Sequence, residues 1–150
     1  MPIDRYEFGG LFFSLVYQYS RLERAMSRES GLYSGQPRVL TILKDNEGCT
    51  LSELSERCGI GLPSLSVSVR NMERGGLIRK VASKSDNRAQ TLFLTDTGLA
   101  KARRFHALID SFYSRLIDGL GEEGSLRARD TLERLAAFIK VADAEFSEPD

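Results

Sequence analysis

The sequence predicts a mainly α-helical fold that carries one small β-hairpin. Over most of the chain, apolar residues recur at spacings of three and four, which is the period of amphipathic helices. Between residues 77 and 94 the period becomes strand-like on both sides of a polar segment, which indicates two antiparallel strands. Just before this hairpin, a glycine-containing turn joins two short helical segments, as in a helix-turn-helix. We therefore expect a winged helix-turn-helix between long terminal helices.

The first predicted helix, over residues 4 to about 28, has an unusually wide apolar face. Phe13 and Tyr17 extend the stripe formed by residues at helical spacing, so one-sided packing would leave aromatic surface in water. We expect a second chain or a ligand to cover it. Residues 31–35 read as a turn, and Pro37 suits the first turn of a short helix that runs to about Asn46. The expected buried face of this short helix is Val39, Leu40, Ile42 and Leu43.

The helix-turn-helix has clear local signals. Thr50 and Glu53 have the spacing of a capping box, so a helix begins there, with Leu51 and Leu54 turned inward. It ends at Cys58 and Gly59, where glycine takes a left-handed conformation. The next helix opens near residues 62–64 and runs to Gly75 and Gly76, with a buried face of Leu65, Val69 and Met72.

The predicted hairpin, or wing, consists of strands over 77–81 and 91–94, joined by polar residues 83–90. Thr95 or Asp96 then caps a long amphipathic helix. Gly119, Gly121 and Gly124 are predicted to break that helix, and a last amphipathic helix follows from Leu126 to Ala142.

Charge is concentrated in the middle of the chain although the net charge is zero. Residues 60–104 hold nine Lys/Arg against three Asp/Glu, while residues 1–59 carry a net −1 and residues 105–150 a net −5. A local basic excess of this kind is typical of a surface that meets a polyanion. The alternative is a chance cluster on a solvated face.

The second helix of the helix-turn-helix presents a polar, basic face opposite its buried residues. Small side chains at its start would allow close approach to a DNA major groove, and its cations suit phosphate. The three serines have two readings, as donors to DNA or as groups that satisfy their own helix backbone. The predicted DNA-binding residues of this helix are Pro63, Ser64, Ser66, Val67, Arg70, Asn71 and Arg74, with Ser68 alongside.

At this point the sequence resembles the multiple antibiotic resistance regulator family, MarR. The resemblance lies in the element order, in the junction at residues 72–78, "MERGGLI", and in the spacing of Asp86, Arg88, Leu94, Thr95 and Gly98. The stretch "GQPRVL" at residues 35–40 is also similar to the second helix of many members. The likeness covers nearly the whole chain.

The resemblance implies a homodimeric transcription factor that binds double-stranded DNA at a palindrome. The lack of a signal-peptide pattern and the cysteine usage predict a cytoplasmic protein. Terminal helices over 4–33 and 99–146 would interlock between two chains, and residues 34–98 would form the DNA-binding lobe of one domain, 1–150. On the wing, Arg88 would enter the minor groove, Asp86 would brace it, and Lys84 would add charge. Val67 departs from the arginine common in the family, which favours an apolar contact to a thymine methyl.

MarR-like proteins commonly bind small aromatic ligands between the dimerisation helices and the DNA-binding lobe. The side chains available for such an effector are Phe8, Phe12, Tyr19, His106, Phe112 and Tyr113. The alternative is that these aromatics are core and that His106, the only histidine, lies at a surface or interface.

Other functions find less support in the sequence. No glycine-rich cofactor loop, nucleophile elbow or paired acid and base is visible, so we expect no enzyme, no catalytic residue and no cofactor. One histidine and the scattered Cys49 and Cys58 supply no metal-ligand spacing, and they are too few for a disulfide framework. No run approaches the roughly 18 apolar residues of a membrane span, so no membrane partner is expected. A winged helix that docks proteins, or dimerises an enzyme system without binding DNA, is the alternative function.

Overall fold

The computed structural model describes residues 3–82 and 90–146. The chain divides into two compact units, the first ending at Ile109 and the second beginning at Asp110. Among the described helices, none has the length and apolar character needed to cross a membrane. The elements in chain order are α1 (Arg5–Glu29), α2 (Gln36–Lys44), α3 (Leu51–Cys58), α4 (Leu62–Arg74), β1 (Ile78–Ala82), β2 (Gln90–Leu94) and α5 (Asp96–Phe146).

The predicted first helix is confirmed as α1, and its apolar face is largely exposed within the unit. Asp4 caps it by accepting a hydrogen bond from the Tyr6 amide at 3.2 Å. Only Met26 and Ser27 of α1 are buried, whereas Phe13 is 72% exposed. The aromatic surface expected on this helix is therefore present, and within the first unit it is uncovered.

The helix α2 forms where the sequence places it, with Pro37 in its first turn. Its N-cap, Gly35, has φ of 82°, a conformation that glycine adopts without the cost a side chain would bring. Val39, Leu40 and Leu43 are buried, but Ile42 is only half-buried, so the predicted face is one residue too wide.

The helix-turn-helix is confirmed as α3 and α4. Thr50 and Glu53 form the full capping box, and Gly59 closes α3 with φ of 60°. Leu54 is fully buried while Leu51 is half-buried. On α4 the predicted buried face is confirmed, since Leu65, Val69 and Met72 are the residues it buries.

Both strands differ from the predicted bounds by one residue. Leu77 was expected in the first strand, but its amide donates to the Met72 carbonyl at 2.8 Å, while the Gly76 amide donates to Glu73. With Gly76 at φ of 69°, these two bonds close the end of α4 in a Schellman motif. Leu77 thus belongs to the helix end, and β1 begins at Ile78, which pairs with Leu94 of β2.

The hairpin is fastened to the segment that leads into α3. The Leu92 amide donates to the Cys49 carbonyl and the Gly48 amide donates to the Leu92 carbonyl, both at 2.9 Å. Thr50 and Thr91 form a bridge beside them. Since β2 hydrogen-bonds to the approach of α3 as well as to β1, the strands and the helix-turn-helix form one body.

Thr95 joins the hairpin to α5. Its amide donates to the Leu77 carbonyl at 3.0 Å, its hydroxyl donates to the Gly76 carbonyl at 2.6 Å, and the same hydroxyl accepts from the Gly98 amide at 3.0 Å. A side chain at Gly98 would overlap the Leu77 carbonyl oxygen, so only glycine allows this approach. Thr95, one of the two expected caps, starts the helix.

The helix assignment of α5 continues to Phe146 and is interrupted once. Gly121 has φ of 67° and ψ of 177°, which is not helical, whereas Gly119 and Gly124 lie within helical segments. The prediction that all three glycines break the helix is therefore wrong for Gly119 and Gly124, because glycine permits a break but does not require one. The second unit exposes a large set of apolar side chains: Leu116, Ile117, Leu120, Leu126, Leu132, Phe138 and Ile139.

The core lies in the first unit, between the helix-turn-helix, the hairpin and the start of α5. Its fully buried members include Leu40, Leu43, Leu54, Leu65, Met72, Ile78 and Leu92, and toward α5 it adds Ala102, Phe105 and Ile109. No buried side-chain nitrogen or oxygen among the described residues lacks a hydrogen-bond partner.

Candidate nucleic-acid interface

The outward face of α4 carries the predicted DNA-binding residues of this helix. All six side chains opposite the buried stripe are exposed, while Ser66 and Ser68 at its flanks are half-buried. The exposed set is Pro63, Ser64, Val67, Arg70, Asn71 and Arg74. Because residues three and four apart share a helix face, these side chains form one continuous stripe.

Cations dominate the charge of this stripe. Among the described residues, neither Arg70 nor Arg74 has an ion-pair partner, so both guanidinium groups face solvent. The one carboxylate of α4, Glu73, pairs instead with Lys80 of β1 at 2.8 Å. The pair leaves the stripe itself without a competing negative charge, which favours contact with an anionic surface.

The N-terminal end of α4 adds backbone donors to the stripe. Its N-cap is Gly61, which has no side chain to bond the free amides, and the first turn holds no acidic residue. Helix starts of this kind attract phosphate, because the first amides lack partners within the helix and the helix dipole is positive there.

The strands of the hairpin hold the start of the predicted wing in place. The Arg79 guanidinium lies over the Phe93 ring, 4.7 Å from its centroid, and this contact braces the two paired strands. At the neighbouring residue of β2, the Leu94 amide donates to Glu47 Oε1 at 2.9 Å. Lys84, Asp86 and Arg88, the predicted wing residues, lie outside the described residues.

Within residues 3–82 and 90–146, the pKa shifts at the capping-box carboxyl and at the two cysteines. The Thr50 amide and hydroxyl donate to Glu53 Oε2 at 2.7 Å and 2.9 Å and hold the pKa of that carboxyl below its usual range. Burial raises the pKa of the Cys58 thiol, and burial followed by the charge of Glu53 raises that of Cys49. A raised pKa favours the thiol over the reactive thiolate.

The residues selected for an effector site fall into separate groups. On α1, Phe8 and Phe12 stack with ring centroids 6.4 Å apart, and Phe8 and Tyr19 are exposed. In the second unit, Phe112 and Tyr113 are neighbours with centroids 5.5 Å apart. His106 is half-buried in the first unit, which makes it neither a free surface residue nor a core residue.

His106 makes a contact that the sequence did not signal. Its Nε2 lies 3.0 Å from Thr41 Oγ1, which joins α5 to α2 across 65 positions of sequence. A polar contact between residues so far apart in sequence leaves no local sequence pattern. The only sequence signal at this position is that His106 is the single histidine of the chain. Within 3–82 and 90–146, no three His, Cys, Asp or Glu side chains cluster as metal ligands would.

A helix-turn-helix followed directly by an antiparallel hairpin, with a cationic stripe on its second helix, defines a winged helix of the DNA-binding class. The comparisons with known proteins specify the family. Residues 30–89, which are 60 of the 150 residues, match the model of the MarR family, and this match supports a winged-helix transcriptional regulator of that family.

Individual relatives agree with this assignment over most of the chain. The chain is 26% identical over 121 residues to the HTH-type transcriptional regulator FarR of Neisseria gonorrhoeae, covering 81% of each protein. Its fold is similar to that of Streptococcus pneumoniae FabT solved in complex with DNA, with a TM-score of 0.83, 22% identity, and coverage of 93% of this chain and 99% of FabT. The PcaV regulator of Streptomyces coelicolor is 27% identical, with a TM-score of 0.75 over 88% of this chain and 96% of PcaV. PcaV has also been solved with its natural ligand.

Proposed function

We propose that this chain acts as a homodimer that binds a palindromic operator and represses transcription. The observation that carries the proposal is the exposed stripe of α4, from Pro63 to Arg74. Its two guanidinium groups have no ion-pair partner in the part of the chain that the structure describes, and the one carboxylate of α4 pairs with Lys80. A helix about 10–12 Å across with its side chains fits a major groove about 12 Å wide. We propose repression, and not activation, because a dimer bound over a promoter excludes RNA polymerase without making any further contact. FabT, a protein of the same fold, was solved on DNA.

Within this proposal, each part of the stripe has a role. Ser64, Ser66 and the first amides of α4 bond phosphate, Asn71 reaches base edges, and Arg70 and Arg74 contact phosphate or guanine. Lys84, Asp86 and Arg88 are the residues proposed to act at the adjacent minor groove. The contacts of Thr95 with Gly76 and Leu77 hold the base of the hairpin.

The dimer is supported by apolar surface that each unit leaves uncovered. In the first unit, α1 exposes Tyr6, Leu11, Phe13, Leu15, Val16 and Tyr17. The second unit exposes its own apolar set over residues 116–139. Patches of this extent mark interaction sites in soluble proteins, and a second copy of the chain covers both at once. Two-fold symmetry would place two recognition helices about 34–36 Å apart, one turn of DNA.

A small aromatic effector is proposed to release the DNA. The support on this chain is the group of accessible aromatic side chains on α1, Phe8, Phe12 and Tyr19, and the half-buried His106 that ties α5 to α2. Phe112 and Tyr113 complete the proposed set of ligand residues. The related PcaV binds a natural ligand.

The direct test of the DNA-binding surface is affinity for a selected duplex as a function of salt. Duplexes enriched by the purified protein from a random library are titrated by fluorescence anisotropy, and log affinity should fall steeply with log salt. Arg70→Ala and Arg74→Ala should each weaken binding by about tenfold or more. Arg129→Ala, the same change on an exposed face of the second unit, should bind as wild type does.

Two results would contradict the proposal. If Arg70→Ala and Arg74→Ala bind the selected duplex as tightly as Arg129→Ala, the stripe is not the DNA contact. If no duplex is enriched even at low salt and the protein instead forms a stable complex with another protein, the winged helix is a protein-docking module.

A separate experiment tests the homodimer. One chain has a mass of 16.8 kDa, and sedimentation equilibrium at micromolar concentration should give twice that mass. Phe13→Asp should shift the mass toward one chain because it places a charge in the covered surface. Val67→Asp, at another exposed apolar position, on α4, should remain a dimer; a monomeric wild type would contradict the proposal.

A further inference from the structure

The stripe of α4 contains two side chains that have no hydrogen-bonding group. Pro63 and Val67 lie one helical turn apart, opposite the buried Leu65 and Val69, and Val67 is 55% exposed. The residues that continue the stripe, Arg70, Asn71 and Arg74, are all polar. Apart from the Ser64 hydroxyl, the leading half of the stripe is therefore apolar, whereas its trailing half is polar throughout.

Resting on the proposed function, we infer that Val67, supported by Pro63, recognises the C5 methyl group of a thymine in each operator half-site. Base edges in the major groove present hydrogen-bond donors and acceptors, and the thymine methyl is the apolar group among them. A donor or acceptor placed against Val67 would lose its water without gaining a partner, which costs free energy. Only the methyl gains by being buried there.

The charge around Val67 identifies DNA as the occupant of this apolar spot. Arg70 and Arg74 lie on the same face of α4, and the only carboxylate of the helix is held by Lys80 at 2.8 Å. A stable protein partner would need about 800 Å² of surface on each side, far more than one valine and one proline present. In this arrangement Arg70 and Arg74 position the DNA backbone, and Val67 contributes preference for a DNA sequence.

The experiment uses the full chain and a duplex selected from a random library. Each thymine of that duplex is replaced in turn by deoxyuridine, which pairs as thymine does but lacks the methyl group. For wild type, one thymine per half-site should be sensitive, with affinity falling about fourfold for each methyl removed. In Val67→Ala, affinity for the unmodified duplex should already be lower, and the same replacement should have little further effect.

Two controls separate the methyl contact from general damage. Val141→Ala, the same change at an exposed position of α5, should keep the wild-type deoxyuridine pattern. A cytosine placed at the sensitive position should bind more tightly when it carries a 5-methyl group, in wild type but not in Val67→Ala. This comparison shows that the methyl, and not another group of thymine, is recognised.

The outcomes are distinguishable from failure of the proposed function. Enrichment of a duplex whose binding tolerates deoxyuridine at every position overturns the inference and leaves DNA binding intact. A deoxyuridine penalty of equal size in wild type and Val67→Ala also overturns it, because another residue then contacts the methyl. If no duplex is enriched at low salt, both the proposed function and the inference fail.

Discussion

Thr41 of α2 and His106 of α5 meet at 3.0 Å through Oγ1 and Nε2. The contact is partly buried, and it connects the helix that supports the helix-turn-helix to the helix that leaves the first unit. Because this contact joins the two helices, a change in the direction of α5 near residue 106 would act directly on α2.

We predict that this contact stabilises the folded chain by about 1 kcal/mol, the usual net value for such a hydrogen bond. Thr41→Val and His106→Ala should each be destabilising, and the double-mutant cycle should give a coupling of about 0.5–1.5 kcal/mol. Urea unfolding at one fixed protein concentration measures it. Thr41→Ser keeps the hydroxyl and should retain the coupling; a coupling near zero would mean that the contact contributes nothing.

The joint at Thr95 predicts a large effect of a small change. Gly98→Ala should destabilise the protein by about 1–3 kcal/mol or more, because the added methyl overlaps the Leu77 carbonyl oxygen and the backbone must move. Gly119→Ala is the matched control, since a methyl there meets nothing within 4 Å and the site is helical. It should raise stability by about 0.5–1 kcal/mol. Thermal unfolding of the two variants should shift in opposite directions.

The capping box predicts a specific pH dependence. The folded pKa of Glu53 lies below its ordinary value of 4.5, so its stabilisation is complete above pH 4.5 and is lost as the pH falls through the folded pKa. Glu53→Gln cannot titrate. The stability difference between wild type and Glu53→Gln should therefore be constant near neutral pH and shrink below pH 4.5, as measured by urea unfolding. A difference that stays constant down to pH 3 would contradict the assignment.

The wing assignment is tested by salt dependence. Arg88→Ala should weaken binding to the selected duplex, and it should reduce the slope of log affinity against log salt by about 1 if the guanidinium contacts one phosphate. Lys140→Ala, a cation of the second unit, should leave the slope unchanged. Equal affinity of Arg88→Ala and wild type at moderate salt would show that the wing is placed wrongly.

A variant series also tests how an effector acts. If an aromatic compound lowers DNA affinity by the same factor in wild type and in Arg88→Ala, repositioning of the wing is not its route. If the factor disappears in Thr41→Val but not in Thr41→Ser, the contact with His106 carries the effect. Anisotropy titrations with and without the compound measure both factors.

Features set by neighbours in sequence could be predicted, and features set by distant partners could not. The capping box of Thr50 and Glu53 spans one helical turn, and the buried face of α4 follows from its period alone. The predicted first strand begins one residue too early because Leu77 is apolar and fits a strand pattern. In the structure, the hydrogen bond from the Leu77 amide to the Met72 carbonyl makes Leu77 part of the closure of α4.

The candidate site shows the same division. Exposure of the α4 stripe followed from the burial of Leu65, Val69 and Met72 on the opposite side. The bond from Leu94 to Glu47 and the contact of His106 with Thr41 join residues 47 and 65 positions apart, so no local pattern announces them. The sequence indicates His106 as a candidate polar residue, but its partner, Thr41, is known only from the fold.

The run from Leu94 to Gly98, which helped to signal the family, contains no residue of the proposed DNA stripe. Leu94 is buried, Thr95 bonds backbone groups of Gly76, Leu77, Gly98 and Leu99, and Gly98 lets α5 pass close to Leu77. This run therefore determines how the hairpin is joined to α5, and it carries no information about which DNA sequence the protein would bind. In this chain the run couples the hairpin to the long helix, and the residues proposed to distinguish one operator from another, such as Val67, lie elsewhere.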